Sequence, residues 1–150
     1  MLEYNTLIKE KVLTVRDVDT TFKKAKISSS ADAAEYARQF YHEDISIYES
    51  FFIILLSIQN NVMAYAKISQ GGVAGTVVDS RIILKYAIDT LASALILIHN
   101  HPSGECEPSN NDMAITTKIK TGAEAIDIKL LDHIIVGDFK YFSFADEGLI

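Results

Sequence analysis

The 150-residue chain is 49% hydrophobic and 23% charged, carries a formal net charge of −6 and holds one cysteine, Cys106. These values suit a single globular domain that buries roughly two-thirds of the surface its unfolded form exposes, and they exclude an internal disulfide framework. The longest apolar run, Phe51 to Ile58, is broken by Ser57 and falls far short of the ~20 residues of a spanning helix, so no membrane partner is expected. The start, Met1-Leu2-Glu3-Tyr4-Asn5, lacks the basic and apolar regions of an export signal, which predicts a cytoplasmic location. Residues 1–27 hold six Lys/Arg against four Asp/Glu (+2), and residues 28–150 hold eight against sixteen (−8). Weak or no nucleic-acid binding is therefore expected, since phosphate neutralisation needs a clustered basic face. The short cluster Lys23-Lys24-Ala25-Lys26 reads as a solvated linker.

In chain order, a weak alternation over residues 5 to 16 (Leu7, Val12, Val15) suggests one strand, and Ser28-Ser29-Ser30 a connection, so residues 1–29 read as an N-terminal strand and linker extension. Ser30 is positioned to cap a helix over Ala31 to Tyr41. Phe51 to Ile58 reads as a buried strand, Gln59-Asn60-Asn61 as its turn and Val62 to Ser69 as the return strand of a hairpin. After Gly71-Gly72 comes an extended piece around Thr76-Val77-Val78. Asp79 or Ser80 then opens a helix with Ile82, Ile83, Tyr86, Ala87 and Leu91 on one stripe. Ala94 to His99 has strand character and Pro102 stops it. Ser109 caps a further helix to about Thr121, closed by Gly122. Leu130 to Val136 and Tyr141 to Phe144, around Gly137-Asp138, read as a terminal hairpin. Strands and helices in this order suggest an α/β sandwich with a central mixed sheet, occupying residues 30–150.

The most informative stretch is His99-Asn100-His101-Pro102 with Ser109 and Asp112 beyond it. Side chains alternate in an extended chain, so His99 and His101 project the same way, and a helix N-terminus returns a serine and an aspartate. Taken singly, Ser109-x-x-Asp112 is also what a helix start wants, and a lone histidine pair on a loop is more often solvated than ligating. Together they supply three N/O ligands, the number that commonly holds catalytic zinc with a water in the open position.

These residues match the pattern H-x-H-P-x6-S-x2-D of the JAB/MPN metallopeptidase superfamily, and Leu131-Asp132-His133-Ile134-Ile135-Val136-Gly137 resembles its RadC-like branch. The resemblance covers about residues 30–150 and implies an α-β-α sandwich carrying one Zn2+ on His99, His101 and Asp112, with Ser109 beside the metal. It also implies an upstream glutamate as base. Glu43, Asp44 and Glu49 all precede the first buried strand, and Glu49, at that strand's start, is the expected base. The implied reaction is hydrolysis of a peptide or isopeptide bond through a zinc-bound water. The substrate would be a peptide or protein amide of unknown identity, with Ser109 donating to the oxyanion. Two alternatives accompany it: a DNA-repair role without peptidase activity, which the short stretch before the first helix does not favour, and a metal-binding but inactive scaffold. The oligomeric state stays open, a homo-oligomer included.

Five further residues draw attention. Cys106, between the ligands, is a fourth, inhibitory ligand or, more simply, a solvent-facing loop cysteine. Asp132-His133 is a pair that orients a ligand from behind or a buried structural histidine in a strand. His42 reads as a solvated residue at a helix C-terminus, and Arg81 as a substrate clamp or an ordinary surface arginine.

Overall fold

The computed structural model describes residues 15–73 and 75–150, so the strand expected over residues 5 to 16 falls almost wholly outside the described residues. Its organising element is β1 (Ser50–Leu56), buried at every position. A continuous apolar strand needs cover on both faces, and alternation divides it. Phe52, Ile54 and Leu56 enter one cluster with Ala33, Ala34, Ala37 and Phe40 of the first helical region, whereas Phe51, Ile53 and Leu55 enter another with Ile83, Ala87, Ile119 and Ala123. Helix α1 (Ser30–Arg38) covers the first face, and α2 (Ser80–Asp89) with α3 (Asn110–Glu124) covers the second. The expected α/β sandwich is thus the observed architecture, in three layers.

The hairpin forms as expected: β1 pairs antiparallel with β2 (Val62–Gln70), and Asn60 adopts a positive φ of 60° in the turn. Strand β3 (Ala94–Asn100) lies on the other side of β1, antiparallel to it and parallel to β4 (Lys129–Val136), and β5 (Tyr141–Ser143) returns along β4. The sheet order is β2-β1-β3-β4-β5, mixed, with β1 and β3 central. The lysines of the basic cluster are exposed, yet their backbone is pinned, because Ile27 N–H donates to Asn60 O and Val62 N–H to Ala25 O.

Several boundaries differ from the sequence reading for identifiable reasons. Ser29, not Ser30, caps α1: its hydroxyl accepts from Asp32 N–H at 3.1 Å, while Ser30 Oγ donates instead to Asp146 at 2.5 Å. The helix stops at Arg38, and Phe40 still packs by stacking on Tyr65 at 4.5 Å between centroids. Asp79 caps α2, whose buried stripe is Ile83 and Ala87. Ile82 faces outward, and Leu91, past the C-cap Thr90, is 83% exposed with φ 52°. Thr76 to Val78 joins no strand. Gly122 does not end α3. It sits inside the helix, where a Cβ would lie 3.0 Å from Leu84 Cδ1, so it serves close approach of α2 and α3.

Candidate metal centre

The site is built where β3 ends and α3 begins. Alternation along β3 puts His99 on the α2/α3 face, opposite Phe51 of β1, whose ring stacks on the imidazole with 5.6 Å between centroids. His101, just past the strand, faces the same way: its Nε2 is 3.0 Å from His99 Nε2. Ser109 caps α3 in a capping box, accepting from Asp112 N–H at 3.2 Å while Asp112 Oδ2 accepts from Ser109 N–H at 2.7 Å. The box holds the Asp112 carboxylate over the histidines, with Oδ1 3.2 Å from His99 Nε2 and Oδ2 3.4 Å from His101 Nε2. The cap that made Ser109-x-x-Asp112 look structural is therefore also what aims the Asp112 carboxylate at the two histidines.

His101 Nδ1 donates to the Glu105 carbonyl at 2.9 Å, so its Nε2 carries the lone pair. Two imidazole nitrogens and the carboxylate thus face one another across one small space, where a shared proton or a bound cation relieves the repulsion of their electron pairs. Ligand atoms about 2.1 Å from a tetrahedral metal stand about 3.4 Å apart; here the two imidazole nitrogens are 3.0 Å apart, and the carboxylate oxygens Oδ1 and Oδ2 lie 3.2 and 3.4 Å from His99 and His101 respectively. His99, His101 and Asp112 are the one group of potential metal ligands found among the described residues. Burial by itself would raise the Asp112 carboxyl, but the neighbouring His101 and His99 rings hold it far below the ordinary carboxylate range, so it stays an anion, and Asp112 in turn raises the His101 imidazole.

Glu49 immediately precedes β1. Its carbonyl accepts from Gly71 N–H at 2.9 Å and its N–H donates to Gly72 O at 3.2 Å. It lines one open cleft of about 560 Å³ together with His101, Ser109, Asp112, Ser103 and Phe51. Glu43 and Asp44 belong to a short 3-10 turn and do not line it. The cleft thus brings Glu49 and Ser109 to the same space as His101 and Asp112, while His99 lies fully buried beneath.

The remaining candidates separate. Cys106 is neither a ligand nor solvent-facing: it is 6% exposed, packs with Ile135 and Phe144, and burial pushes its thiol up. Arg81 is bound to Asp79 on the exposed surface, does not line the cleft, and holds the Asp79 carboxyl down to about 2. His42 is exposed at the start of the 3-10 turn, after α1 has ended. Asp132 and His133 split across the sheet. His133 reaches His99, Nε2 to Nδ1 at 2.8 Å, whereas Asp132 turns to Ser143 Oγ at 2.6 Å and to the N–H groups of His133 and Ala145. Its carboxylate does not orient the imidazole.

The sequence reading missed two residues. Asn100, between the two histidines, has the opposite parity and is fully buried on the α1 face. It accepts from Ser50 N–H at 2.8 Å and donates to the carbonyls of Ile45 at 2.6 Å and Tyr48 at 2.9 Å, clipping the Glu49 segment to β3. Thr116, one helical turn after Asp112, donates to the Asp112 carbonyl at 2.6 Å and stands 2.6 Å from His133 Nδ1. A polar residue inside an apolar strand and a threonine four positions past a ligand were the available signals.

A family model described as RadC-like JAB domain matches residues 27–149. Similar proteins include UPF0758 proteins of Flavobacterium johnsoniae, 46% identical over 127 residues, with 85% of this chain and 55% of that protein covered. One of Coprothermobacter proteolyticus is 42% identical over 132 residues, with 87% and 56% covered, and one of Coxiella burnetii 38% over 130 residues, with 85% and 56% covered. The chain spans about half the length of these curated relatives.

Proposed function

Given that the chain belongs to the RadC-like JAB domain family, we propose that it is a zinc-dependent hydrolase that cleaves a peptide or isopeptide amide. The observation that carries this reading is the convergence of three potential metal-ligating atoms beneath a cleft that is also lined by Glu49, whose carboxylate has no hydrogen-bond or ion-pair partner among the described residues. Two neutral imidazoles and one carboxylate are a borderline donor set suited to zinc, and they leave a coordination position towards the cleft. When bound, zinc would polarise the amide carbonyl and acidify a water, which is the chemistry the side chains by themselves lack.

The chain's own residues would do the rest. Glu49, held at its backbone by Gly71 and Gly72, would take a proton from the attacking water and return it to the departing amine. Ser109, whose hydroxyl now donates to Asp112 at 2.7 Å, would turn it to the developing oxyanion. Phe51 and the buried floor of the cleft would exclude bulk water.

Elemental analysis of purified protein tests the metal half, with about one zinc per chain expected and Asp112→Ala stripping it. For the chemistry, Glu49→Gln is expected to keep its zinc and lose at least about 10²-fold of turnover on a fluorogenic peptide library. Zinc-free wild-type protein after loading, or zinc loss in Glu49→Gln, would overturn the assignment of roles.

A further inference from the structure

Behind His99 lies a buried chain of hydrogen bonds whose direction can be worked out from its ends. Thr116 Oγ stands 2.6 Å from both the Asp112 carbonyl oxygen and His133 Nδ1. A hydroxyl has one proton, and the carbonyl can only accept, so that proton goes to the carbonyl. His133 Nδ1 must then donate to Thr116 Oγ. The His133 ring is fully buried, stacked on Phe144 at 4.7 Å and tilted against Phe51 at 5.6 Å, and among the described residues no carboxylate hydrogen-bonds to it. As a neutral imidazole donating from Nδ1, it presents a bare Nε2, 2.8 Å from His99 Nδ1. His99 therefore carries its proton on Nδ1 and turns the lone pair of Nε2 to the ligand cluster.

We propose that Thr116 and His133 are positioning residues which lock His99 in its Nδ1–H tautomer before a metal arrives, so that the site is pre-set for zinc. The relay starts from the backbone carbonyl of Asp112, so two of the three ligands are tied through it, and movement of α3 relative to β4 would be felt at His99. The inference rests on the zinc reading for its purpose but not for its geometry. Ligand-orienting partners of this kind commonly change metal affinity 10- to 100-fold when removed.

Long-range 1H–15N correlation of the histidine rings in metal-free wild-type protein reads the tautomer directly and needs no variant. The Nδ1–H form of His99 is expected, and an Nε2–H form or a mixture overturns the proposal. Zinc affinity measured against a chromophoric chelator supplies the second arm. Thr116→Val, which keeps shape and loses the hydroxyl, is expected to weaken zinc about 10- to 100-fold and mix the His99 tautomers, with Thr116→Ser restoring both. Unchanged affinity and tautomer in a folded Thr116→Val protein overturn it too. Wild-type protein that shows the Nδ1–H form yet binds no zinc would support the relay and sink the zinc reading, so the two failures are distinguishable.

Discussion

Ser109 and Asp132 show how one side chain's worth depends on its surroundings. Ser109 Oγ accepts from Asp112 N–H and donates to Asp112 Oδ2, so Ser109→Ala removes half of a capping box and one support of a ligand. A stability loss of about 1 kcal/mol is expected by denaturant unfolding, with zinc retained; a loss of turnover well beyond that figure would identify the hydroxyl as an oxyanion donor and not only a cap. Asp132 is buried, which raises its carboxyl; bonds from Ser143, Ala145 and His133 oppose this, and Asp146 adds to the rise. The folded protein thus takes up this proton at a higher pH than the unfolded chain, where Asp titrates near ~3.9. Lowering the pH through that interval favours the native state, and raising it through the folded value loses the gain. Asp132→Asn can still accept both N–H groups, while the Ser143 hydroxyl reverses to accept. The stability of wild type relative to Asp132→Asn should therefore be greater near about pH 4 than at about pH 7. Urea titrations giving the same difference at both would contradict the raised carboxyl.

At the level of elements, Glu49 and the His99–His101–Asp112 cluster sit on separate pieces of chain, and one buried amide, Asn100, adds to the β1–β3 pairing that joins them. Asn100 uses its oxygen and both amide protons on the Ile45 to Ser50 segment, and α1's follow-on residue Tyr41 adds a hydroxyl bond to Ser50 O at 3.1 Å. Asn100→Ala would orphan these backbone groups at about 1 to 3 kcal/mol each where water cannot reach them, so a total loss of about 3 kcal/mol is expected. Hydrogen exchange should quicken over residues 45 to 50 while the zinc stays bound. Protection unchanged in that segment would show that the clip does not hold Glu49. The strand on the far side carries a comparable device. A register shift between Leu95 and Ile96 leaves Leu131 as an extra residue in β4, so that Leu130 and His133, three apart, share the α3 face. Without that bulge, simple alternation from Leu130 would put Asp132, not His133, behind His99.

On the scale of the molecule, a metal held by His99, His101 and Asp112 would be coupled to the fold, because these residues come from β3, the following loop and α3. If zinc binds the native state alone, ligand at about 100 times its dissociation constant adds about 2.7 kcal/mol, which for a chain of this size raises Tm by about 5 to 10 °C. Chelation should reverse that rise in wild type and leave Asp112→Ala unmoved; a Tm in wild type indifferent to chelator would argue against a structurally coupled site. Among the described residues no helix is long and apolar enough to cross a membrane. With −8 over residues 28–150, duplex DNA binding by this chain is expected to be weak and to vanish near ~150 mM salt. Sub-micromolar binding in that salt would revive the repair reading.

The sequence alone determined whatever depends on short-range pattern. Continuous apolar runs bounded by Asn, Gly and Pro marked β1, β2 and β3, and the spacing from His99 to Asp112 marked the residues that gather as one potential metal-binding group, because strand parity and a helix cap act over a few residues. Glu49 could be singled out among three carboxylates only by resemblance, since what sets it apart is a cleft whose other walls include Val73, Thr76 and Val78 and, much further along the chain, His101, Ser109 and Asp112. Tertiary structure alone decided that Gly122 is a contact and not a stop, that Cys106 is core, and that Asn100 and Thr116 belong to the site. It also set His133 against His99 and turned Asp132 away, because a single extra residue in β4 reverses every later side chain, and a bulge is fixed by pairing with β3 and not by anything local to the strand.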